Sequence, residues 1–169
     1  MISYCIHPLT YGIIGEKIVT RRLGYFYEKQ GDVSSLISTR GRYAVRVMLD
    51  LAENGEEGYI PLKDVAARQE ISKKYLEIIV KELVDGGLLV GASGKGGGYK
   101  LCRKPEEYSI GEILELTEGS LATVACLVDP CPRAAKCKTL PLWTEFDRLT
   151  HDFFFSKKLS DLLPEGKSA

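Results

Sequence analysis

The sequence lacks any long apolar run, and it carries no net charge. No stretch approaches the roughly 18 apolar residues that a membrane-spanning helix needs, so a membrane protein is not expected. The N-terminus has no basic segment followed by an apolar one, so no secretory signal is predicted and a cytoplasmic location is expected. The formal net charge of zero at pH 7 means that the field of the whole molecule does not favour nucleic acid.

Motifs typical of enzymes and of repeat proteins are also missing. The sequence has no Ser-His-Asp arrangement, no nucleotide-binding fingerprint and no paired carboxylates in an apolar surround. No internal repeat is visible. At 169 residues and 44% hydrophobic composition, the chain is long enough for one domain or one domain with an appendage. The sequence therefore predicts a globular protein that is not an enzyme.

The cysteines are the most informative residues that the sequence does contain. Three of the five lie within twelve residues, at Cys126, Cys131 and Cys137. An odd number of cysteines in a chain without an export signal favours ligands or free thiols over a disulfide framework. Thiolates bind iron–sulfur clusters, zinc or copper(I), and these spacings are wide for a zinc knuckle. The alternative is three reduced, uncoordinated thiols, and no fourth ligand is evident.

Charge around these thiols fits a bound anionic group. Three cations of the same loop can offset the negative charge of sulfide and thiolates, namely Arg133, Lys136 and Lys138.

Two other residues that could in principle bind a metal are not expected to do so. Cys102 is expected to be packed at the end of a strand, and His151 is expected on a helix surface rather than as a ligand.

The first half of the chain predicts a helix-turn-helix followed by a hairpin. Apolar residues at helical spacing predict three helices, which run from Ser38 to Asn54, from Leu62 to Arg68 and from Lys73 to Asp85. A turn of three to four residues joins the last two, as in a helix-turn-helix. Two short strands around a glycine-rich turn follow, over Leu88–Val90 and Tyr99–Leu101. A hairpin directly after the second helix of the motif is a wing.

The start of the third helix is the candidate DNA-reading segment, because that end of a helix-turn-helix enters the major groove, where base edges require polar side chains. The candidate contacts are Ser72, Lys73, Lys74, Tyr75 and Glu77. Lysines at a helix start oppose the helix dipole, so folding alone does not favour them. Glu77 can accept a hydrogen bond from a cytosine amino group. The alternative interpretation is a solvated helix face.

Lys95, among the four glycines of Gly94–Gly98, is the candidate contact of the wing. Glycines let backbone approach a ligand closely, and Lys95 can meet a phosphate or enter the minor groove. A nucleotide-binding loop is disfavoured, because this loop leads into a strand rather than a helix. Residues 36–104 hold 12 Lys and Arg against 9 Asp and Glu, a mildly basic balance that is compatible with phosphate contact.

Two further helices are predicted in the last third. Ser109 and Glu112 form a capping box that opens a helix ending at Glu118. A long helix then runs from about Pro141 to Phe155. Its apolar stripe consists of Leu142, Phe146, Leu149 and Phe153, widened by Trp143 and Phe154. This stripe is wider than a small domain can easily bury alone.

Four segments in this order resemble the IscR/NsrR/CymR-type bacterial regulators of the Rrf2 family: Ile37–Ala44, Ile71–Glu77, Gly94–Tyr99 and the cysteine loop. The resemblance covers about Leu36 to Leu163. It implies a mainly α fold with a small β-hairpin wing, a winged helix-turn-helix plus a long C-terminal dimerisation helix. It also implies a homodimer that binds double-stranded DNA and represses or activates promoters.

The same resemblance implies a cofactor. In cluster-binding members the three cysteines hold a [2Fe–2S] or [4Fe–4S] cluster, so Cys126, Cys131 and Cys137 would be ligands here. DNA affinity would then respond to cluster status, redox or nitrosative signals. A thiol- or zinc-based redox sensor on the same fold is the alternative, and an interaction or cluster-carrier module without DNA binding is a further one.

The chain departs from the family pattern at three positions. Leu140 stands where cluster-assembly regulators have a histidine, and Tyr43 stands where nitric-oxide sensors supply a carboxylate from the partner's first helix. Ser93 stands where many members have an arginine, just before the wing glycines, so Lys95 is expected to take the role of that arginine. Glu77, which is tied to base selectivity in the family, is retained.

The organisation expected from all of this has four parts. Residues 36–104 form the winged helix-turn-helix, 105–138 the connecting helix and cysteine loop, and 139–169 the dimerisation helix and tail. Residues 1–35 show no sustained period, and Leu36 is predicted to be the native start, which agrees with where family members usually begin. A disordered or loosely helical tail is the alternative for this extension.

Overall fold

The computed structural model describes residues 11–14, 17–20, 36–55, 58–129 and 131–164. The chain divides into two units, Met1–Ser34 and Ser35–Ala169. In the first unit, strands β1 (Tyr11–Ile14) and β2 (Lys17–Thr20) pair antiparallel. The sequence did not predict these strands. The rest of the extension lies outside the described residues, and its absence from the native protein stays a prediction.

The second unit, as far as it is described, is mainly helical. Its elements are α1 (Thr39–Asn54), α2 (Leu62–Gln69), α3 (Lys73–Asp85), β3 (Leu89–Ala92), β4 (Gly98–Leu101), α4 (Ile110–Glu118) and α5 (Leu140–Ser156). Short 3-10 turns occupy the connections. The predicted mainly α fold with a β-hairpin wing is confirmed, and the bounds predicted for α3 are those observed.

The start of α1 is tied to the end of α4. The hydroxyl oxygen of Ser38 caps α1 by accepting from the Gly41 amide at 3.3 Å. The Ser38 amide and hydroxyl both donate to Oε1 of Glu118, each at 2.9 Å. A β-carbon at Gly41 would overlap that same carboxylate oxygen, so the glycine permits the close approach of the two helices.

One hydrophobic core joins α1, α3 and α4. Its fully buried members are Ala44, Val47, Met48, Leu76, Ile79, Leu83, Tyr108, Ile113 and Leu159. The Tyr108 hydroxyl donates to the Leu88 carbonyl at 2.9 Å and accepts from the Arg103 amide at 2.8 Å. Burial raises the pKa of Tyr108. The two hydrogen bonds satisfy the Tyr108 hydroxyl, as a buried tyrosine requires.

The wing has a third backbone partner at its base. β3 and β4 pair antiparallel, with Leu89 opposite Leu101. Ile60, just before α2, exchanges two backbone hydrogen bonds of 2.9 Å with Tyr99 of β4. The wing is therefore held to the loop that enters α2, next to the start of α3.

The capping box predicted for α4 forms only in part. The hydroxyl oxygen of Ser109 accepts from the Glu112 amide at 3.1 Å, as expected. The Glu112 carboxylate instead pairs with Arg103, just after β4. Cys102 is exposed, so the prediction that it is packed was wrong. The cause is that β4 ends at Leu101 and the chain turns there toward solvent.

Candidate DNA interface and cysteine loop

The predicted contacts at the start of α3 share one exposed end of the helix. The Ser72 hydroxyl oxygen caps α3 by accepting from the Tyr75 amide at 3.3 Å. Lys73 and Lys74 are exposed. The Lys73 ammonium lies 3.5 Å from the Glu77 carboxylate, one turn further along. This end of α3 therefore presents a capped helix start and two exposed lysines, of which Lys73 is paired with Glu77.

Tyr75 has a different position from its neighbours. It is half-buried, and its ring meets the Tyr43 ring edge-on, with centroids 5.9 Å apart. The Arg46 guanidinium lies over the Tyr43 ring, 5.1 Å from its centroid. Tyr43 thus packs against α3 of the same chain.

The turn before α3 is fixed by a buried carboxylate. The Asp50 side chain is 1% exposed and accepts three hydrogen bonds from Arg68, of 2.6, 2.9 and 3.3 Å. Gln69 donates to the same carboxylate at 3.0 Å. Arg46 bonds both the side chain and the backbone carbonyl of Gln69. The hydrogen bond to Asp50 raises the pKa of Arg68.

Residue Glu70 completes that turn in a left-handed conformation, with φ of 54°. A non-glycine residue rarely adopts this conformation. The preceding residue, Gln69, is held by its hydrogen bond to Asp50 and by the bonds that it accepts from Arg46. These contacts fix the backbone of the turn from which α3 begins. Sequence reasoning did not identify this network, although one signal existed. Asp50 lies on the apolar stripe of α1, beside Val47 and Leu51, where a charge requires a partner.

The wing tip places Lys95 in solvent. Gly94 and Gly96 on either side have φ of 94° and 79°, which only glycine adopts without cost. A groove of about 310 Å³ separates the wing base from α2 and α3. Lys63 and Lys73 line it together with Glu77 and the glycines at 97 and 98. Lys63, which the sequence analysis did not select, adds a cation beside the reading helix.

The three cysteines of the loop are reduced and half-buried. Cys126 lies in the 3-10 turn Ala125–Leu127, and Cys137 follows the turn Ala134–Lys136. The Cys137 sulfur lies 3.4 Å from the Thr139 hydroxyl. That hydrogen bond, with further help from backbone amides, lowers the pKa of Cys137 and favours its thiolate.

The loop does not gather its ligating side chains at one point. Within the described ranges, no three His, Cys, Asp or Glu side chains are close enough to hold a metal ion. Leu140 is the first residue of α5. The loop is nonetheless anchored, because Asp147 of α5 accepts from the amide and the hydroxyl of Thr123 at 2.8 and 3.2 Å.

Helix α5 exposes its apolar stripe. The helix is about 25 Å long and has no buried residue. Leu142, Phe146, Leu149 and Phe153 are each roughly half exposed. Soluble monomers rarely leave a contiguous apolar surface of this kind uncovered. Among the described residues, no helix is long and apolar enough to cross a membrane. His151 lies on the α5 surface, as predicted, stacked on Phe155 with ring centroids 4.1 Å apart.

A capped reading helix, a glycine-rich wing and a helix with a free apolar face define a winged helix-turn-helix DNA-binding regulator. The family model described as "Iron-dependent Transcriptional regulator", Rrf2, matches residues 37–165. The chain belongs to the Rrf2 family and is a DNA-binding transcriptional regulator of that type. The family that the sequence motifs resemble is thereby confirmed.

Individual relatives agree with this assignment. The transcriptional regulator IscR of Aliivibrio salmonicida is 33% identical over 132 residues, which cover 78% of this chain and 79% of the relative. Protein rrf2 of Nitratidesulfovibrio vulgaris is 36% identical over 132 residues, covering 77% of this chain and 88% of the relative. The solved structure of CymR, the global cysteine regulator of B. subtilis, aligns with a TM-score of 0.64 at 33% identity, covering 75% and 94% of the two chains. That of T. potens IscR aligns with 0.63 at 32%, covering 79% and 91%.

Proposed function

We propose that this regulator is a cytoplasmic homodimer whose affinity for its operator depends on an iron–sulfur cluster held by Cys126, Cys131 and Cys137. The proposal includes α3 as the reading helix, with Ser72, Lys73, Lys74, Tyr75 and Glu77 as its contacts, and Lys95 as the contact of the wing. The Rrf2 family consists of transcriptional regulators, so we also propose that the chain has no enzymatic activity.

The exposed apolar stripe of α5 is the observation that supports a homodimer. A two-fold pair of such helices would cover the same side chains on both subunits, as an isologous interface requires. The two reading helices of a dimer would then face half-sites about one helical turn of DNA apart, which is the usual arrangement for dimeric helix-turn-helix proteins.

The chemistry of the loop supports the cluster. Three free thiols within one loop are soft ligands of the kind that iron–sulfur clusters take. Arg133, Lys136 and Lys138 surround them with positive charge. The sulfurs do not converge in the described conformation, so cluster binding would require the loop to close. Relatives named IscR belong to a family described as iron-dependent.

The experiment that tests the cluster is anaerobic purification of the full chain, followed by iron and sulfide analysis and an optical spectrum. We expect iron, sulfide and visible absorption in the wild type and in Cys102→Ala, whose thiol lies outside the loop. We expect all three signals to be lost in Cys131→Ala. A colourless wild type without iron would overturn the proposed cofactor.

A thiol-based redox sensor is the second candidate, and one observation favours it specifically. The Thr139 hydroxyl lowers the pKa of Cys137, and thiolates are the form that oxidants attack. CymR of B. subtilis, described as a cysteine regulator, shares the fold. If the protein carries no iron and diamide changes its DNA affinity in the wild type but not in Cys137→Ser, this candidate replaces the first. Zinc in the metal analysis would point to the zinc form of the same sensor.

A further inference from the structure

Ile78 is an exposed apolar side chain in the middle of the reading helix. Its exposed fraction is 51%, while its neighbours Ile79 and Val80 are buried in the core. Ile78 therefore adds little to the core of its own subunit. The exposed half of this side chain is available for a contact with another molecule.

The surroundings of Ile78 are those of a surface that meets a polyanion. Lys74 lies one turn before it and Lys81 about one turn after it, so the three side chains share one face of α3. The three carboxylates of α3 are each paired with a cation, and Glu82, which lies one turn after Ile78, pairs with Arg40 at 3.2 Å. Glu77 lies 3.5 Å from Lys73, and Asp85 lies 3.5 Å from Lys81.

We infer that Ile78 reads a thymine, by packing its side chain against the C5-methyl group in the major groove. This inference rests on the proposed role of α3 as the reading helix. The thymine methyl is the distinctive apolar feature that base pairs present in the major groove, and aliphatic side chains are its natural partners. Lys73 and Lys74 at the start of α3 would contact phosphates or polar base edges nearby, so Ile78 would add a methyl contact to the base selectivity of Glu77.

The test uses the full chain and a duplex found by selection from a random-sequence pool. Each thymine of the selected site is then replaced, one at a time, by deoxyuridine, which lacks only the methyl group. We expect one position in each half-site where the wild type loses affinity about fourfold, the usual value for one methyl group in an apolar contact. Ile78→Ala is expected to bind both duplexes with nearly the same affinity.

Two controls keep the outcomes separate. Leu162→Ala truncates a similarly exposed apolar side chain outside α3, and it should retain the full deoxyuridine effect. Thermal unfolding of Ile78→Ala should match that of the wild type, since the side chain is half exposed. A wild type that selects no sequence would overturn the proposed function itself. A wild type that selects a site but shows no deoxyuridine effect, or an effect unchanged in Ile78→Ala, would overturn only the role of Ile78.

Discussion

Asp147, in the middle of α5, accepts hydrogen bonds from both the amide and the hydroxyl of Thr123, at 2.8 and 3.2 Å. Thr123 lies three residues before Cys126, and Cys137 lies three residues before the start of α5. The cysteine loop is therefore anchored to α5 at both ends. The Thr123–Asp147 contact holds its beginning, and its last residues continue directly into the helix. Both ends of the loop are thus connected to α5, the helix with the exposed apolar stripe.

Removal of this contact should loosen the loop without harming the core. We expect Asp147→Ala to increase amide hydrogen exchange in residues 123–137 and to lower the free energy of unfolding by about 1 kcal/mol, the usual value of such bonds. Asp152→Ala is the matched control, because Asp152 is on the same helix but pairs only with its exposed neighbours Arg148 and His151. Equal exchange in the two variants would show that the Thr123 contact does not restrain the loop.

The buried carboxylate of Asp50 should matter far more for stability. Asp50→Ala leaves the Arg68 guanidinium without its partner and frees the turn before α3, so we expect a loss of about 3 kcal/mol in the free energy of unfolding. Arg68 is partly exposed, which keeps the loss at the low end for buried pairs. Urea unfolding measures it. Asp85→Ala removes an exposed pair with Lys81 and should cost less than about 0.5 kcal/mol.

The local features of the fold were predictable from the sequence, and the tertiary contacts were not. Ser72 and Ser109 cap the helices that their positions predicted, because a cap depends only on residues three positions away. The pairing of Glu112 with Arg103 rather than with the Ser109 amide depends on where β4 ends. The sequence contains no local signal for such a contact.

The candidate site divides in the same way. The lysines at the start of α3 were identified because they oppose the helix dipole, an argument that needs only the helix. Lys63 joins the same groove only because Ile60 pairs with Tyr99 and brings the wing base against α2. Tyr43 was named only as a departure from the family pattern, and its contact with Tyr75 depends on the packing of α1 on α3.

Lys74 should contribute to DNA affinity as a phosphate contact. We expect Lys74→Ala to weaken binding and to reduce the slope of log K against log salt by about 1.8, because a dimer would lose one phosphate contact of about 0.9 in each subunit. Lys95→Ala should lower the slope by a similar amount if the wing tip meets the backbone. Lys158→Ala, outside α3 and the wing, is the control. Fluorescence anisotropy at several salt concentrations gives the slopes, and an unchanged slope for Lys74→Ala would exclude the phosphate contact.

The Thr139 hydroxyl should control the reactivity of Cys137. Because its hydrogen bond lowers the pKa of Cys137, a larger fraction of this thiol is thiolate at neutral pH. In Thr139→Val the pKa should rise, so alkylation of Cys137 at pH 7 should slow and its rate should level off at a higher pH. Mass spectrometry of iodoacetamide-treated protein follows that residue alone. Thr150→Val, whose hydroxyl bonds only the Phe146 carbonyl, should leave the profile unchanged.

The apolar stripe of α5 should hold the two subunits together. Phe146 and Leu149 are roughly half exposed in the single chain, so Phe146→Glu should leave the fold of the subunit intact while placing a charge in the dimer interface. We expect sedimentation equilibrium to show a dimer for the wild type and a monomer for the variant. Because one reading helix contacts only half of an operator, DNA affinity should fall by at least a hundredfold. Thr144→Ala, two residues away, exposed and on the opposite side of α5, should remain dimeric, and a Phe146→Glu variant that also stays dimeric would place the interface elsewhere.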